Sequence, residues 1–383
     1  MVERPAIAEL CAEELQAHMA VSPDVVSWAP GRINVIGGHT DYNGGLALPG
    51  AIDRWISVAL RGRADDRVRV RSLDFGGEVS GDRGSLEATN ASWSRFVVGC
   101  ITVFEEHTPL PGGLDAVFAG DVPDGAGLSS SAALTVAWMT ALRAWTGAAI
   151  DDAMLVRMAQ QVEHRFLGVQ CGLLDQIGSL MAAPDSLLLV DFADLRVEPV
   201  SVGLKDVRWV VLHSGVRREL ASSSYLDRVQ ECAQGLAALQ RREPGVSRVR
   251  DATLPMLRTE NPVERRLRHV VTENERVLRA ADAVRRGDAD TLGHLLVAAH
   301  ASLRDDYEVS CRQLDCLVDA ALAQPGCFGA RMVGGGFGGC TLNVVEAARV
   351  DAFIDGALTA YRSVCSETPR SFAFDLVGGA AVG

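Results

Sequence analysis

The sequence predicts an α+β protein of two domains, spanning residues 1–201 and 202–383. Three observations lead there. At 383 residues the chain exceeds one ordinary domain, and nearly half of it is apolar, enough for two cores. Strand-like segments gather beside runs of long helical pattern, as in layered α+β architecture rather than a doubly wound sheet. The β-branched run Val207–His213 then reads as the opening strand of a second domain.

Taken in order, Val25–Trp28, Ala51–Arg61, Arg67–Ser72 and Leu114–Phe118 are β-branched or alternating and bounded by Gly, Pro or Asp, and read as strands. Ser130–Trp145 carries Leu134, Ala137, Met139, Leu142 and Trp145 at helical spacing. Asp151 or Asp152 caps a further helix with the stripe Leu155, Met158, Ala159, Val162 and Phe166. A strand at Ser186–Asp191 closes the first half. Helical patterns follow at Ser222–Arg241 and Pro262–Arg286, then a strand, glycine turn and strand over Arg331–Val345, and a last strand at Ser371–Leu376.

Composition removes several function classes. A formal charge of −12 and a pI near 5.2 leave no basic face for a nucleic acid or an anionic membrane. No run of 18 uncharged apolar residues is present, and the acidic, amphipathic N-terminus does not read as a signal peptide; a cytoplasmic protein is expected. The nine cysteines are scattered without metal-ligand spacing and read mostly as small core residues. Lys205 is the one lysine, so any lysine-dependent mechanism has a single candidate.

Two segments concentrate chemistry. Pro123-Asp-Gly-Ala-Gly-Leu-Ser-Ser-Ser-Ala-Ala133 lies between a strand and a helix. Gly125 and Gly127 free backbone N–H groups to turn outward, and Ser129, Ser130 and Ser131 add hydroxyls at a helix N-terminus that favours phosphate. An ordinary turn ending in a serine N-cap is the competing reading. The segment has no Gly-Lys-Ser/Thr of a Walker A loop, no protein-kinase glycine loop and no Rossmann fingerprint. The second segment, residues 30–45, places Arg32, Asn34, His39 and Asp41 in a glycine-rich bend. Asp41 suits a vicinal diol and Arg32 a phosphoryl group or a carboxylate; a polar turn that caps its own backbone is the alternative.

Together these segments resemble the GHMP kinases, and residues 30–45 resemble the galactokinase signature. The resemblance continues through Glu163–Gln176, Ser222–Tyr225, Ser302–Cys311 and Met332–Thr341, in order over roughly residues 25–345. It implies a two-domain GHMP kinase fold with the active site in the cleft, ATP and Mg²⁺, and phosphorylation of a sugar's anomeric hydroxyl. Asp175 would be the catalytic carboxylate and Arg32 its partner. An arginine favours the charged form of a neighbouring carboxylate, which can orient or accept a hydroxyl proton. Ser131 and Glu163 would hold Mg²⁺ as hard oxygen donors. Gly38, His39, Asp41, Gly172 and Tyr225 would line the sugar pocket. Gly125, Gly127, Leu128, Ser129, Ser130 and Ser131 would take the nucleotide phosphates, with Trp93 beside the adenine, and Gly334–Gly336 would form a turn over the site. Without the resemblance, Asp175 reads as a helix N-terminal carboxylate, Glu163 as half of a surface pair, Trp93 as core and the glycines as a hairpin turn.

The sequence departs from the galactokinase pattern most clearly at Gly38, where that family carries a glutamate that hydrogen-bonds the sugar's C6 hydroxyl. Gly50, Ser224, Val98 and Val333 are smaller departures. Loss of the carboxylate is expected to leave a hole and admit a sugar altered at C6. The arginine-rich composition suggests an actinomycete-like source, and with it an octose or octose phosphate as in lincosamide antibiotic biosynthesis. Ordinary galactokinase activity and a non-catalytic sugar sensor are the alternatives. The expected partners are the sugar and ATP.

Overall fold

The computed structural model describes residues 4–123, 125, 127–216, 221–258 and 260–383; Asp124 and Ala126 of the glycine loop lie outside this set. The first half of the described chain runs α1 (Ala6–Met19), β1 (Val25–Asn34), β2 (Leu46–Ala47), β3 (Pro49–Gly62), β4 (Arg67–Ser72), β5 (Glu78–Asp82), α2 (Ser94–Glu105) and β6 (Leu114–Gly120). It continues with α3 (Ser130–Thr146), α4 (Asp152–Val162), α5 (Leu174–Leu180), β7 (Ser186–Asp191) and β8 (Arg196–Ser201). The second half comprises β9 (Val207–His213), α6 (Ala221–Arg242), α7 (Pro262–Arg286), α8 (Ala289–Asp305) and α9 (Arg312–Leu322). It ends with β10 (Cys327–Val333), β11 (Cys340–Glu346), α10 (Val350–Val364), β12 (Arg370–Phe374), β13 (Leu376–Val377) and β14 (Ala381–Val382).

A seven-stranded sheet in the order β14-β1-β3-β6-β4-β5, with β13 also on β3, forms the first layer. Strand alternation decides its two faces. Val58, Leu60, Ala116 and Phe118 turn into one core with Trp138, Leu142 and Val162 of the helices, while Ala59, Val117 and Ala119 turn towards Cys11 and Leu15 of α1. Each Val, Leu or Phe so buried contributes about 1.5–3 kcal/mol. The second sheet, β10-β11-β9-β12, is antiparallel throughout. Its Val210, Leu212 and Ala330 pack on Leu317 and Phe353 of α9 and α10. A third core joins α6, α7 and the end of α8 through Cys232, Leu267 and Leu303.

The expected strands and long helices are present, several with extended ends. Asp151 is the N-cap of α4, its Oδ1 accepting Met154 N–H at 2.7 Å. The stripe expected to run to Phe166 leaves α-helical geometry at Val162 and continues as one wide π-helical turn, Glu163–Leu167. Such a turn rotates the residues beyond it off the helix face, and here Glu163 is only 4% exposed. The C-terminal segment returns to the first sheet: Leu376 pairs with Ile52, and Val382 with Ser27. None of the nine cysteines is in a disulfide; Cys11, Cys100, Cys232 and Cys340 are buried, and Cys311, Cys316, Cys327 and Cys365 pack partly buried against the cores. Among the described residues no helix is long and apolar enough to cross a membrane.

Candidate active site

Arg32 reaches the site just after a break in the β1–β3 ladder, where β3 carries the extra residues. Pro30 lacks an N–H for the ladder, and the β1–β3 register breaks between Pro30, opposite Trp55, and Arg32, opposite Ala51. Gly31 allows the glycine loop to close on the strand: a Cβ there would meet Leu128 O at 2.9 Å. The Arg32 N–H donates to that carbonyl at 3.0 Å. A bulge of this kind re-aims a side chain.

The guanidinium then joins two elements. Its Nη1 donates to Gly127 O at 2.8 Å, and Nε donates to Asp175 Oδ1 at 2.8 Å with Nη2 on the same oxygen. Ser129 Oγ donates to the other oxygen, Oδ2. Asp175 thus stands in the first turn of α5 with one oxygen held by β1 and the other by the loop before α3. Ser129 is the N-cap residue of α3 but makes no side-chain cap, and it sits at φ 60°. With Gly125 at φ 68° and Gly127 at φ 76°, the loop combines left-handed residues with the open N-terminus of α3, as a phosphate cradle needs. Ser130 and Ser131 occupy that first turn.

On the far side, Ser131 Oγ donates to Glu163 Oε2 at 3.4 Å, and Gln176 Nε2 donates to Glu163 Oε1 at 2.8 Å. Burial, with Asp175 adding like charge, pushes the Glu163 carboxyl up to about 7. A hydroxyl beside a buried, partly protonated carboxyl fits a hard cation, which would displace the proton. Among the described residues, no cluster of three or more His, Cys, Asp or Glu side chains is arranged as a metal site. An ion here would therefore need other oxygens, such as those of a polyphosphate.

The loop after β1 supplies the other wall. His39 takes φ 59°, and its Nδ1 pairs with Tyr42 Oη at 2.8 Å, which pairs with Tyr307 Oη at 2.8 Å. The His39 ring lies 4.7 Å from the Tyr307 ring and 5.6 Å from the Tyr225 ring. Asp41 opens a short 3₁₀ turn; burial, then the like charge of Asp175, raise its carboxyl to about 6. Gly172 makes room for it, since a Cβ there would fall 1.9 Å from Asp41 Oδ2. Burial, with Asp41 next, raises the Tyr225 phenol well above its usual value. The glycine turn after β10 touches the same ring: a Cβ on Gly335 would meet Tyr225 Cδ2 at 3.4 Å.

Thus Arg32, Asp175, the 127–131 loop, Glu163, Asp41, Gly172, His39 and Tyr225 converge. Two expectations change. Trp93 is 3% exposed and packs edge-on against Phe118 with centroids 5.3 Å apart, so its indole belongs to the core and offers no open face to a base. The hole expected at Gly38 is filled, since a Cβ there would meet Arg331 Nη2 at 3.0 Å and Leu303 Cδ2 at 3.4 Å. Sequence reasoning gave no role to Arg331, Glu273 and His269, which back this loop, or to Tyr307, which closes the aromatic cluster; Tyr307 had a signal in the Ser302–Cys311 segment, whereas Glu273 and His269 lie in a helical stretch whose charge hides their burial.

The chain is similar to known proteins along most of its length. Residues 95–183 match the GHMP kinases N terminal domain, 280–362 the GHMP kinases C terminal domain, and 13–62 the galactokinase galactose-binding signature. The chain is 40% identical over 361 residues to the galactokinase of Roseiflexus sp. (strain RS-1), covering 93% of this chain and 92% of the relative. It is 39% identical over 363 residues to the Homo sapiens galactokinase, covering 91% of each. Among solved structures, Lactococcus lactis galactokinase complexed with galactose superimposes with a TM-score of 0.91 at 30% identity, over 98% of this chain and 100% of that one. A Methanococcus jannaschii mevalonate kinase shares the fold, with a TM-score of 0.67 at 15% identity over 92% of this chain and 98% of the other.

Proposed function

The chain belongs to the galactokinase family of GHMP kinases and is an ATP-dependent sugar kinase, and from that premise we propose that it phosphorylates galactose on the anomeric C1 hydroxyl. The observation that carries this is the position of Asp175. Its carboxylate lies between the glycine loop, which brackets it through Arg32 and Ser129, and the wall of Asp41, Gly172, Tyr225 and His39.

The acceptor hydroxyl donates to Asp175 Oδ2, where the Ser129 hydroxyl donates in this structure, and its proton passes to that oxygen as the phosphoryl group arrives. Arg32 fixes Oδ1 and carries permanent positive charge beside the transfer path. Phosphoryl transfer depends mainly on such positioning and charge stabilisation. Asp41 takes two vicinal hydroxyls of the sugar, and Tyr225 and His39 pack on its other face. The 125–131 loop and the N-terminus of α3 hold the nucleotide phosphates. Ser131 and Glu163 would hold Mg²⁺, which would neutralise phosphate charge there.

Galactose is favoured over an octose because the room that an extended C6 end would need at residue 38 is occupied by Arg331 and Leu303. General carbohydrate metabolism, rather than antibiotic biosynthesis, is the setting that follows. ADP release should be measured across galactose, glucose, talose, arabinose, fucose and C6-extended sugars, with phosphorus NMR of the product. Highest kcat/KM on galactose and an anomeric phosphate are expected. A better C6-extended acceptor, or phosphate on another hydroxyl, overturns the proposal.

A further inference from the structure

The stretch that presents His39 and Asp41 ties down its own carbonyls, Asn34 Nδ2 and Thr40 Oγ1 each donating to Gly37 O at 2.9 Å and Asn43 Nδ2 to His39 O at 2.8 Å, but the N–H groups of Gly37 and Gly38 are bonded from outside it. Gly37 takes φ 96° and is followed by Gly38, so two glycines without side chains precede His39 in a left-handed conformation at φ 59°. Glycine pairs lose much conformational entropy on ordering, and the outside contacts to their N–H groups add to the loop's own bonds in fixing them.

That support comes from α7. Glu273, 0% exposed, accepts two peptide N–H groups on Oε1, Gly37 N at 2.9 Å and Gly38 N at 3.3 Å. Four residues earlier, His269 lies 2.9 Å from Gly38 O through Nε2. A carbonyl only accepts, so Nε2 carries the proton; Nδ1 lies 2.9 Å from Ser302 Oγ. The next residue, Asn274, accepts Leu46 N–H at 2.8 Å at the far end of the loop. Charge is balanced behind the contact. Arg276 Nε donates to Glu273 Oε2 at 2.6 Å, and Arg331 abuts Gly38. Burial raises the Glu273 carboxyl, but Arg276, His269 and Arg331 together hold it down at about 2.

We propose that Glu273 is a positioning residue for sugar binding, fixing the Gly37–Gly38 backbone from α7 so that His39 and Asp41 meet the sugar in register. This rests on residues 39–41 contacting the acceptor, as in the function proposed above. The role is separable from folding. A glutamine at 273 keeps an oxygen for both N–H groups but loses the charge, whereas an alanine leaves both buried donors without a partner.

The test is steady-state kinetics of Glu273→Gln, Glu273→Ala and Asn274→Ala, varying sugar and ATP separately, with thermal melts in parallel. Sugar KM should rise at least about tenfold in Glu273→Ala. It should rise less in the glutamine variant, and ATP KM should stay within about twofold of the parent in all three, since the contacts lie on the sugar side. Should Glu273→Ala not fold, the glutamine and Asn274→Ala variants decide by the same split. Unchanged sugar KM in the folded variants, or sugar and ATP KM rising together, overturns the inference. Failure of the parent on galactose would instead refute the proposed acceptor, and the same KM split would then be read on the acceptor that the sugar panel identifies.

Discussion

Adding one methyl group at Gly172 tests the sugar wall without touching any charge. The Cβ of Gly172→Ala would lie 1.9 Å from Asp41 Oδ2 and 2.5 Å from its Cγ. The carboxylate must retreat by about 1.5 Å to reach the 3.4 Å of ordinary contact, and a hydrogen bond stretched that far is lost. Gly172 is not among the positive-φ positions, so the backbone accepts alanine and the effect falls on Asp41. Each charged hydrogen bond lost costs about 1.5–3 kcal/mol. Loss of one to the sugar therefore raises sugar KM by roughly 10- to 150-fold, and loss of both by more. ATP KM should stay constant, since the phosphate loop is not displaced. The assay is ADP release with each substrate varied in turn, and the double variant with Asp41→Ala should add little to Asp41→Ala alone. A sugar KM within twofold of the parent would refute both the displacement and the assignment of Asp41 to the acceptor.

Asp175→Asn should lower kcat at least about a hundredfold while nucleotide binding by calorimetry persists, because Arg32 keeps its bond to Gly127 O; near-parental turnover would remove Asp175 from its role. The Glu163 carboxyl, raised to about 7, favours its protonated form in the folded protein. Its contribution to stability is therefore present below the ordinary carboxylate range and lost as pH rises through 7. Bound Mg²⁺ reverses that loss, so the Mg²⁺-ATP increment in melting temperature should grow from pH 6 to pH 8 and flatten in Glu163→Gln; equal increments in the parent would count against the site. Gly38→Ala should lower stability by about 1–3 kcal/mol through overpacking against Arg331. It should leave the preference for galactose over C6-extended sugars unchanged, and a large shift in that ratio would restore the open-pocket reading.

Legibility in the sequence followed the physics of each feature. The α3 and α7 patterns and strands such as Val207–His213 are periodic and local, so they could be read directly. The glycine loop and the Arg32–Asp41 segment were visible because glycine and polar side chains crowd where an ordinary turn needs few. What could not be read was contact between distant residues. Nothing near Gly38 in the chain announces Arg331 or Leu303, which converge on it from β10 and α8, so a missing side chain looked like empty space. Trp93 carried no local mark separating an adenine platform from a core indole; only Phe118 and the helices around it decide. Glu273 sits in a charged helical stretch that resembles a solvated face, and its burial follows from where the loop of residues 37–46 lands.

The return of Leu376–Val377 and Ala381–Val382 to β3 and β1 bears on how the protein is made. Strands β1 to β6 emerge from the ribosome early, yet their sheet keeps an unpaired edge along β1 until residue 382 has been translated. Domains ordinarily fold as they appear, at about 5–20 residues per second, so this edge waits on the order of tens of seconds. Because β13 lies on β3 opposite Ala51, which itself pairs with Arg32, the strand that carries Arg32 is secured among the last. The sheet edge thus stays open until residues 376–382 have been made, leaving an unpaired strand in the meantime for chaperones to guard.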